Sequence, residues 1–264
     1  MDFEHLIYNV DNLVATLTLN RPETLNALTP SMRQSFAAAL ELAETDDSVR
    51  VIVITGAGKG FCSGGDVKAM NEARKSGKAS VLDDKIDPIR DRIVLALRDS
   101  TKPIIAAVNG AAAGAGMNIA LACDIRIASD TAKFGETFAK RGLHPDWGGT
   151  YFLPRIVGMA KACELIWSGK MIQASEALEL GIVSQLETPE ALMTATLEMA
   201  NSFAAGPPIA IRMAKRAMYR SMDSTLREAL EFETYAQNTC SATSDAKEGI
   251  AAFVEKREAV FTGH

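Results

Sequence analysis

The chain is expected to fold as an α/β protein with parallel strand pairing. Three observations lead there. Short apolar runs of strand length alternate with helical patterns through the first two-thirds of the sequence. Two of those runs pass through a small-residue turn straight into a helix, at residues 49–70 and 104–123. After Gly206-Pro207-Pro208 the pattern becomes helical throughout. These features divide the chain into an α/β core, 1–205, and a helical C-terminal region, 206–264.

Residues 13–19 alternate apolar and polar, as a half-buried strand does. Pro30-Ser31 opens a helix to about residue 44, with Met32, Phe36, Leu40 and Ala43 at helical spacing. Residues 51–55 form an apolar strand, followed by a glycine-rich loop and a helix starting around Asp66. Residues 71–90 carry an excess of Lys, Ser, Gly and Asp and are expected as a mobile segment or exposed helix beside the site. Residues 104–108 form a buried strand, and a helix then opens on Gly114-Ala115-Gly116. Residues 125–128 make a further short strand. In the tail, helices are expected over 207–222, 224–239 and 244–261, with Ser224 and Ser244 as N-caps. The apolar Leu226, Leu230 and Phe253 face either a core or an interface.

The two strand-to-helix turns carry the chemistry. The first turn of a helix leaves backbone N–H groups without internal partners, and the helix dipole favours negative charge there. Two such turns, at Ser63-Gly64-Gly65-Asp66 and Gly114-Ala115-Gly116, could supply the two donors of an oxyanion site. Tight helix–strand packing would also require small residues. Asn109, Asn118 and the turn residues argue against a membrane span over 104–123. The spacing does not meet the dinucleotide pattern G-x-G-x-x-G, and Gly58-Lys59-Gly60 lacks the hydroxyl and glycine spacing of a P-loop.

Six stretches carry a resemblance that covers nearly the whole chain in order. They are LNRPETLNAL (19–28), VIVITGAGKGFCSGGDVKAM (51–70), KPIIAAVNGAAAGAGMNIALACDIRIAS (102–129), AKFGETFAKRGLHPDWGGTYFLPRIVG (132–158), ALELGIVSQL (177–186) and EGIAAFVEKREAVF (248–261). The chain resembles the crotonase, or enoyl-CoA hydratase/isomerase, superfamily. The resemblance implies a spiral of ββα turns and an acyl-CoA thioester substrate. It implies that the backbone N–H groups of Gly65 and Ala115 polarise the thioester carbonyl. It implies that Ser63, Gly65, Asp66, Val67, Lys68 and Ala115 line the CoA path. It also implies a C-terminal trimerisation region, hence a homotrimer or dimer of trimers, with Lys256 and Arg257 as candidate partners for CoA phosphates of a neighbouring subunit.

The departures narrow the activity. Hydratases of the family carry two glutamates that hold and activate water; this chain has Asn118 and Phe138 at those places. An amide and a phenyl ring do not shuttle protons near neutral pH. Asp146 stands where isomerases of the family often keep an aspartate, and the 142–158 phrase resembles that of ring-epoxide and other double-bond-shifting enoyl-CoA isomerases. One carboxylate suits that chemistry, because it removes a proton from one carbon and returns it to another. Trp147 is expected to desolvate Asp146 and raise its proton affinity. The alternative is that Asp146 caps the helix beginning near Gly148-Gly149. Glu136 is a second carboxylate that could reach the pocket, His144 could orient Asp146, and Asn118 could bond Asp146 or a substrate oxygen.

The expected activity is therefore that of an enoyl-CoA isomerase. The alternatives are a hydratase with a non-standard carboxylate, a thioesterase, or a non-catalytic acyl-CoA-binding subunit. No metal or cofactor beyond the CoA of the substrate is expected. The formal charge of −5 argues against a nucleic-acid partner. The four cysteines and three histidines lack metal-ligand spacing, and three of the cysteines are expected in apolar surroundings. The N-terminus has no signal-peptide apolar run, so a cytoplasmic location is expected.

Overall fold

The computed structural model describes residues 3–76 and 88–264. The chain begins with an antiparallel hairpin, β1 (Leu6–Asp11) and β2 (Val14–Leu19). Sequence patterning found only its second strand. Asn12 and Leu13 between them both take positive φ, as the favoured two-residue hairpin turn requires. The helix α1 (Pro30–Thr45) follows, capped by the Thr29 hydroxyl, which accepts from Met32 N at 3.1 Å.

Next come β3 (Val51–Gly56), β4 (Gly60–Cys62), α2 (Val67–Lys75), α3 (Pro88–Asp99), β5 (Ile104–Val108), β6 (Ala111–Ala113) and α4 (Ala115–Ala122). Then follow β7 (Ile125–Ser129), β8 (Lys133–Gly135), α5 (Gly149–Val157), α6 (Met159–Ser168), β9 (Ile172–Gln173), α7 (Ala174–Glu179), β10 (Gln185–Glu187) and α8 (Leu192–Ala204). Three times the chain makes one strand of a large sheet, one strand of a small sheet, and then helix. This is the expected spiral of ββα turns. The large sheet runs β1-β2-β3-β5-β7-β10 and is parallel from β2 onward; the small one runs β4-β6-β8-β9. The strands β4 and β6 lie in stretches that read as glycine loops. Three residues, Gly-Phe-Cys in β4 and Ala-Ala-Ala in β6, are too short to carry a period-2 signal, and only pairing with a neighbour makes them strands.

Both β3 and β5 are buried along their whole length, because both faces of the sheet are covered. Val51, Val53, Ile105 and Ala107 pack with Leu192, Ala200 and Ala204 of α8. Ile52, Ile54, Ile104 and Ala106 point the other way, into the main core with Phe36, Leu40 and Ile119. Cys62 and Cys123 are buried, whereas Cys163 and Cys240 are only half-buried, so two rather than three cysteines belong to the core.

The tail forms α9 (Pro208–Ser221), α10 (Leu226–Ser241) and α11 (Ser244–Glu255). Its caps lie one residue from those expected. Thr225 rather than Ser224 caps α10, in a reciprocal box with Glu228, and Thr243 rather than Ser244 caps α11. In each case the threonine has the extended backbone that aims its hydroxyl back at the first turn. The last helix stops six residues early: Lys256 turns left-handed, and Arg257 N bonds back to Ala252 O. Residues 262 and 263 then dock on Asp245, which accepts from Thr262 N at 2.7 Å and Gly263 N at 2.9 Å. Residues 77–87, within the stretch expected as mobile or exposed helix, lie outside the described residues.

A buried ion pair ties the tail to the sheet. Lys215 Nζ lies 2.8 Å from Asp124 Oδ2 and also donates to Lys102 O at 2.9 Å. Tyr219 Oη donates to Asp124 Oδ1 at 2.6 Å, and Ile104 N to Asp124 Oδ2 at 2.7 Å. Removing one partner of a buried pair strands the other charge. Lys215→Ala is expected to lower the free energy of unfolding by about 3 to 5 kcal/mol, measured by urea titration.

Candidate active site

The first turn hangs on the segment before α1. Asn26 is fully buried there; its Oδ1 accepts from Arg21 N at 2.8 Å, and its Nδ2 reaches Gly60 O at 2.8 Å and Ala57 O at 3.0 Å. The same segment holds the turn through Leu28 N to Gly64 O at 2.8 Å, Ser63 N to Leu25 O at 2.9 Å and Ser63 Oγ to Thr24 O at 2.9 Å. Asp66 accepts from Ala69 N at 3.1 Å, capping α2, and pairs with Arg21 at 3.3 Å. These contacts hold its carboxyl below the usual range, the Ala69 N–H being the largest cause.

The second turn is pressed against the first. Gly64 has φ +94°, and a side chain on it would come within 2.8 Å of Ala113 O. A side chain on Gly116 would collide with the Cys62 carbonyl. Only glycine at these two positions lets the start of α4 sit against the 63–66 turn. Gly65 and Ala115 therefore line one cavity, of about 220 Å3. Among the described residues, neither N–H group donates to a protein acceptor.

Asp146 lines the same cavity, with Trp147, Phe138, His144 and Ser63. Trp147 and Gly148 both take left-handed φ, +54° and +79°, which reverses the chain before α5. The N-cap of α5 is Gly148 and no side chain caps it, so Asp146 is not the helix cap of the alternative reading. Its backbone carbonyl accepts from Gly149 N at 3.1 Å and from Asn118 Nδ2 at 2.7 Å. Its side chain is 41% exposed, and Arg90 Nη1 stands 3.8 Å from Oδ2. Trp147, beside it, is buried.

Two expected pocket residues lie behind the wall rather than on it. Asn118 is fully buried in α4 and touches Asp146 only through the peptide oxygen. Gly149 packs on it so closely that any side chain would meet Asn118 Nδ2 at 2.5 Å. Glu136 is 0% exposed, with Oε2 at 3.5 Å from Asn118 Nδ2. Burial, with a smaller contribution from Asp146, pushes its carboxyl up to about 8.

The expected CoA path is reached in part. Ser63, Gly65, Val67 and Ala115 line the cavity, while Asp66 turns to its cap and Arg21. Exposed Lys68 lines an adjoining cavity of about 320 Å3, which shares Val67, Met70, Arg141 and Leu143 with the first. Arg257 is engaged within its own chain by Glu248 at 2.6 Å, which removes it as a free phosphate partner. Lys256 occupies the left-handed end of α11. Arg90 and Arg141 were missed from sequence. Arg90 is 56 positions from Asp146, and no local pattern links them; Arg141 lay within the quoted 132–158 stretch without a distinguishing signal.

Glu136 is neutral in the fold at pH values where it is charged in the unfolded chain. The native state then binds more protons, so stability falls as pH rises through that window. Relative to Glu136→Gln, the wild-type chain is expected to lose stability between about 4.5 and about 8, read from denaturant titrations at stepped pH.

Residues 9–264 match the family described as enoyl-CoA hydratase/isomerase. A short-chain-enoyl-CoA hydratase of Clostridium acetobutylicum is 37% identical over 259 residues, covering 98% of this chain and 97% of the relative. A 1,2-epoxyphenylacetyl-CoA isomerase of Escherichia coli is 38% identical over 260 residues, covering 98% and 99%. The crystal structure of an enoyl-CoA hydratase subunit from Geobacillus kaustophilus superposes with a TM-score of 0.89 at 37% identity, covering 100% of both chains. With the ββα spiral and the matched length, the chain is an enzyme of the enoyl-CoA hydratase/isomerase family, the crotonase family.

Proposed function

We propose that the protein is an enoyl-CoA isomerase. The observation that carries this reading is that Asp146 is the single carboxylate on the cavity wall among the described residues. Asp146 shares the cavity with Gly65 and Ala115, Phe138 replaces one expected glutamate, and Asn118 and Glu136 are walled off behind it. The thioester oxygen accepts from the Gly65 and Ala115 N–H groups, and one such donor is worth about 3 kcal/mol in the transition state. The Asp146 carboxylate removes a proton from the carbon adjacent to the thioester carbonyl. The electron pair moves into the thioester, giving an enolate held by the two N–H groups. Asp146, now protonated, returns the proton to a different carbon and the double bond has shifted. Proton transfer through an enolate requires no metal or redox group, and CoA arrives with the substrate.

Hydratase activity is the second reading, because a hydratase relative is as similar as the isomerase. Water addition needs a second group to hold the nucleophile. The wall offers none of the two glutamates that do so in the family.

The readings separate by mass. In heavy-oxygen water, turnover of a panel of unsaturated and epoxide acyl-CoAs is expected to give products of unchanged mass with rearranged bonds. Asp146→Asn is expected to lower kcat by about 100-fold or more. Uptake of one labelled oxygen makes the enzyme a hydratase; full activity in Asp146→Asn removes Asp146 as the base.

We further propose that the helical tail assembles the protein as a homotrimer or dimer of trimers. Leu226, Ile250, Phe253 and Val254 are exposed large apolar residues on its helices, Phe253 at 86%. Such a patch on a separate chain marks an association surface. Among the described residues, no helix is long and apolar enough to cross a membrane. Sedimentation is expected to give an oligomer for the wild type and smaller species for Phe253→Asp.

A further inference from the structure

We propose that Glu136 is a positioning residue, a neutral acid that supports Asn118 and through it the Asp146 peptide, and that its ionisation disables the site. The inference rests on the reading of Asp146 given above. Glu136 follows β8 and is sealed from solvent by α4 and by the chain entering β9. Its Oε1 is buried and has no hydrogen-bond partner, and the same is true of Asn118 Oδ1. Asn118 Nδ2 spends its short bond on Asp146 O at 2.7 Å and stands at 3.5 Å from Glu136 Oε2. The two N–H groups of Asn118 Nδ2 are directed to Asp146 O and Glu136 Oε2, so Asn118 Oδ1 has no donor unless the Glu136 carboxyl carries a proton. A carboxylate brings no donor and leaves Asn118 Oδ1 facing further acceptors.

The charges around Glu136 favour the neutral form. From the 142–148 loop it faces Asp146, a like charge that adds to the effect of burial. From α4 it faces only the Asn118 amide. On the side of β9, the Lys170 ammonium is held by Glu164 at 2.9 Å and Glu176 at 3.2 Å. The Lys140 stem lies beside Gly169, which approaches the Glu136 backbone oxygen rather than its carboxyl. Among the described residues no cation pairs with Glu136. Buried carboxyl groups in such surroundings stay protonated well above their ordinary range, here to about 8. Loss of that proton to solvent places a second negative charge behind Asp146 and removes the O–H donor available to Asn118 Oδ1, which loosens the amide that fixes the Asp146 peptide.

The test combines infrared spectroscopy with a pH–rate profile. The wild type is expected to show a protonated-carboxyl band below pH about 8 that is absent from Glu136→Gln and fades as pH rises through that value. Glu136→Gln, permanently neutral, is expected to keep kcat within about twofold at low pH and to lose the alkaline fall in kcat. Glu136→Ala, which removes the support, is expected to lower kcat about tenfold or more with KM unchanged. Absence of the band overturns the proposal, as does an alkaline limb shared by wild type and Glu136→Gln. If Glu136→Gln does not fold, titration of the wild-type band alone decides. The infrared readout concerns the Glu136 proton whichever group moves substrate protons. Failure of Asp146 as the base therefore leaves that arm intact and is recognised separately.

Discussion

The contact between the 63–66 turn and the start of α4 is the constraint on which the site depends. Gly64 leaves no room for a side chain against Ala113 O, and Gly116 none against the Cys62 carbonyl. That contact sets Gly65 beside Ala115 on one cavity. It also places the strands β4 and β6 side by side, so the small sheet and the placing of Gly65 beside Ala115 arise from the same approach. The buried Asn26 holds the approach from the other side, converting three carbonyls around residues 57–61 into bonded acceptors. Backbone groups can be positioned this finely because they are anchored by sheet and helix, not by a mobile side chain.

Two carboxyl groups share this site in different surroundings. Asp146 is partly exposed with a guanidinium at 3.8 Å. Glu136 is sealed from water beside an amide and a like charge, and burial favours its neutral form. The difference follows from position: one carboxyl lies on the cavity wall and the other one layer behind it. Asn118 links them, because α4 carries it and Gly149 of α5 rests on it. Asn118 thus holds the loop carrying Asp146 through its peptide oxygen.

The tail is joined to the same sheet that carries the site. Asp124 lies between α4 and β7, where it gathers Lys215, Tyr219 and the Ile104 N–H. Arg98 of α3 stacks on the Tyr219 ring at 3.4 Å, and α3 also carries Arg90. The seating of α9 and that of the arginine beside Asp146 therefore meet on one helix. The exposed apolar residues of α10 and α11 lie beyond this anchor.

Much of the fold was legible in the sequence because strongly periodic or wholly apolar runs have few ways to be buried. The strands β3 and β5, the helix α1 and the two small-residue turns follow from such runs, and the motif resemblance orders them into a spiral. Asp146, Gly65 and Ala115 were legible for the same reason, since each sits at a fixed place in a long matched stretch. The strands β4 and β6 were not, because a run of three residues becomes a strand only beside a neighbour. Arg90 was not, because its partner is distant in sequence. Glu136 and Asn118 were expected on the pocket and lie behind it. Residue type and spacing determined which groups gather near the turn. Which of them reach the cavity was decided by packing, since burial and the distance between side chains on separate elements exist only once those elements are assembled.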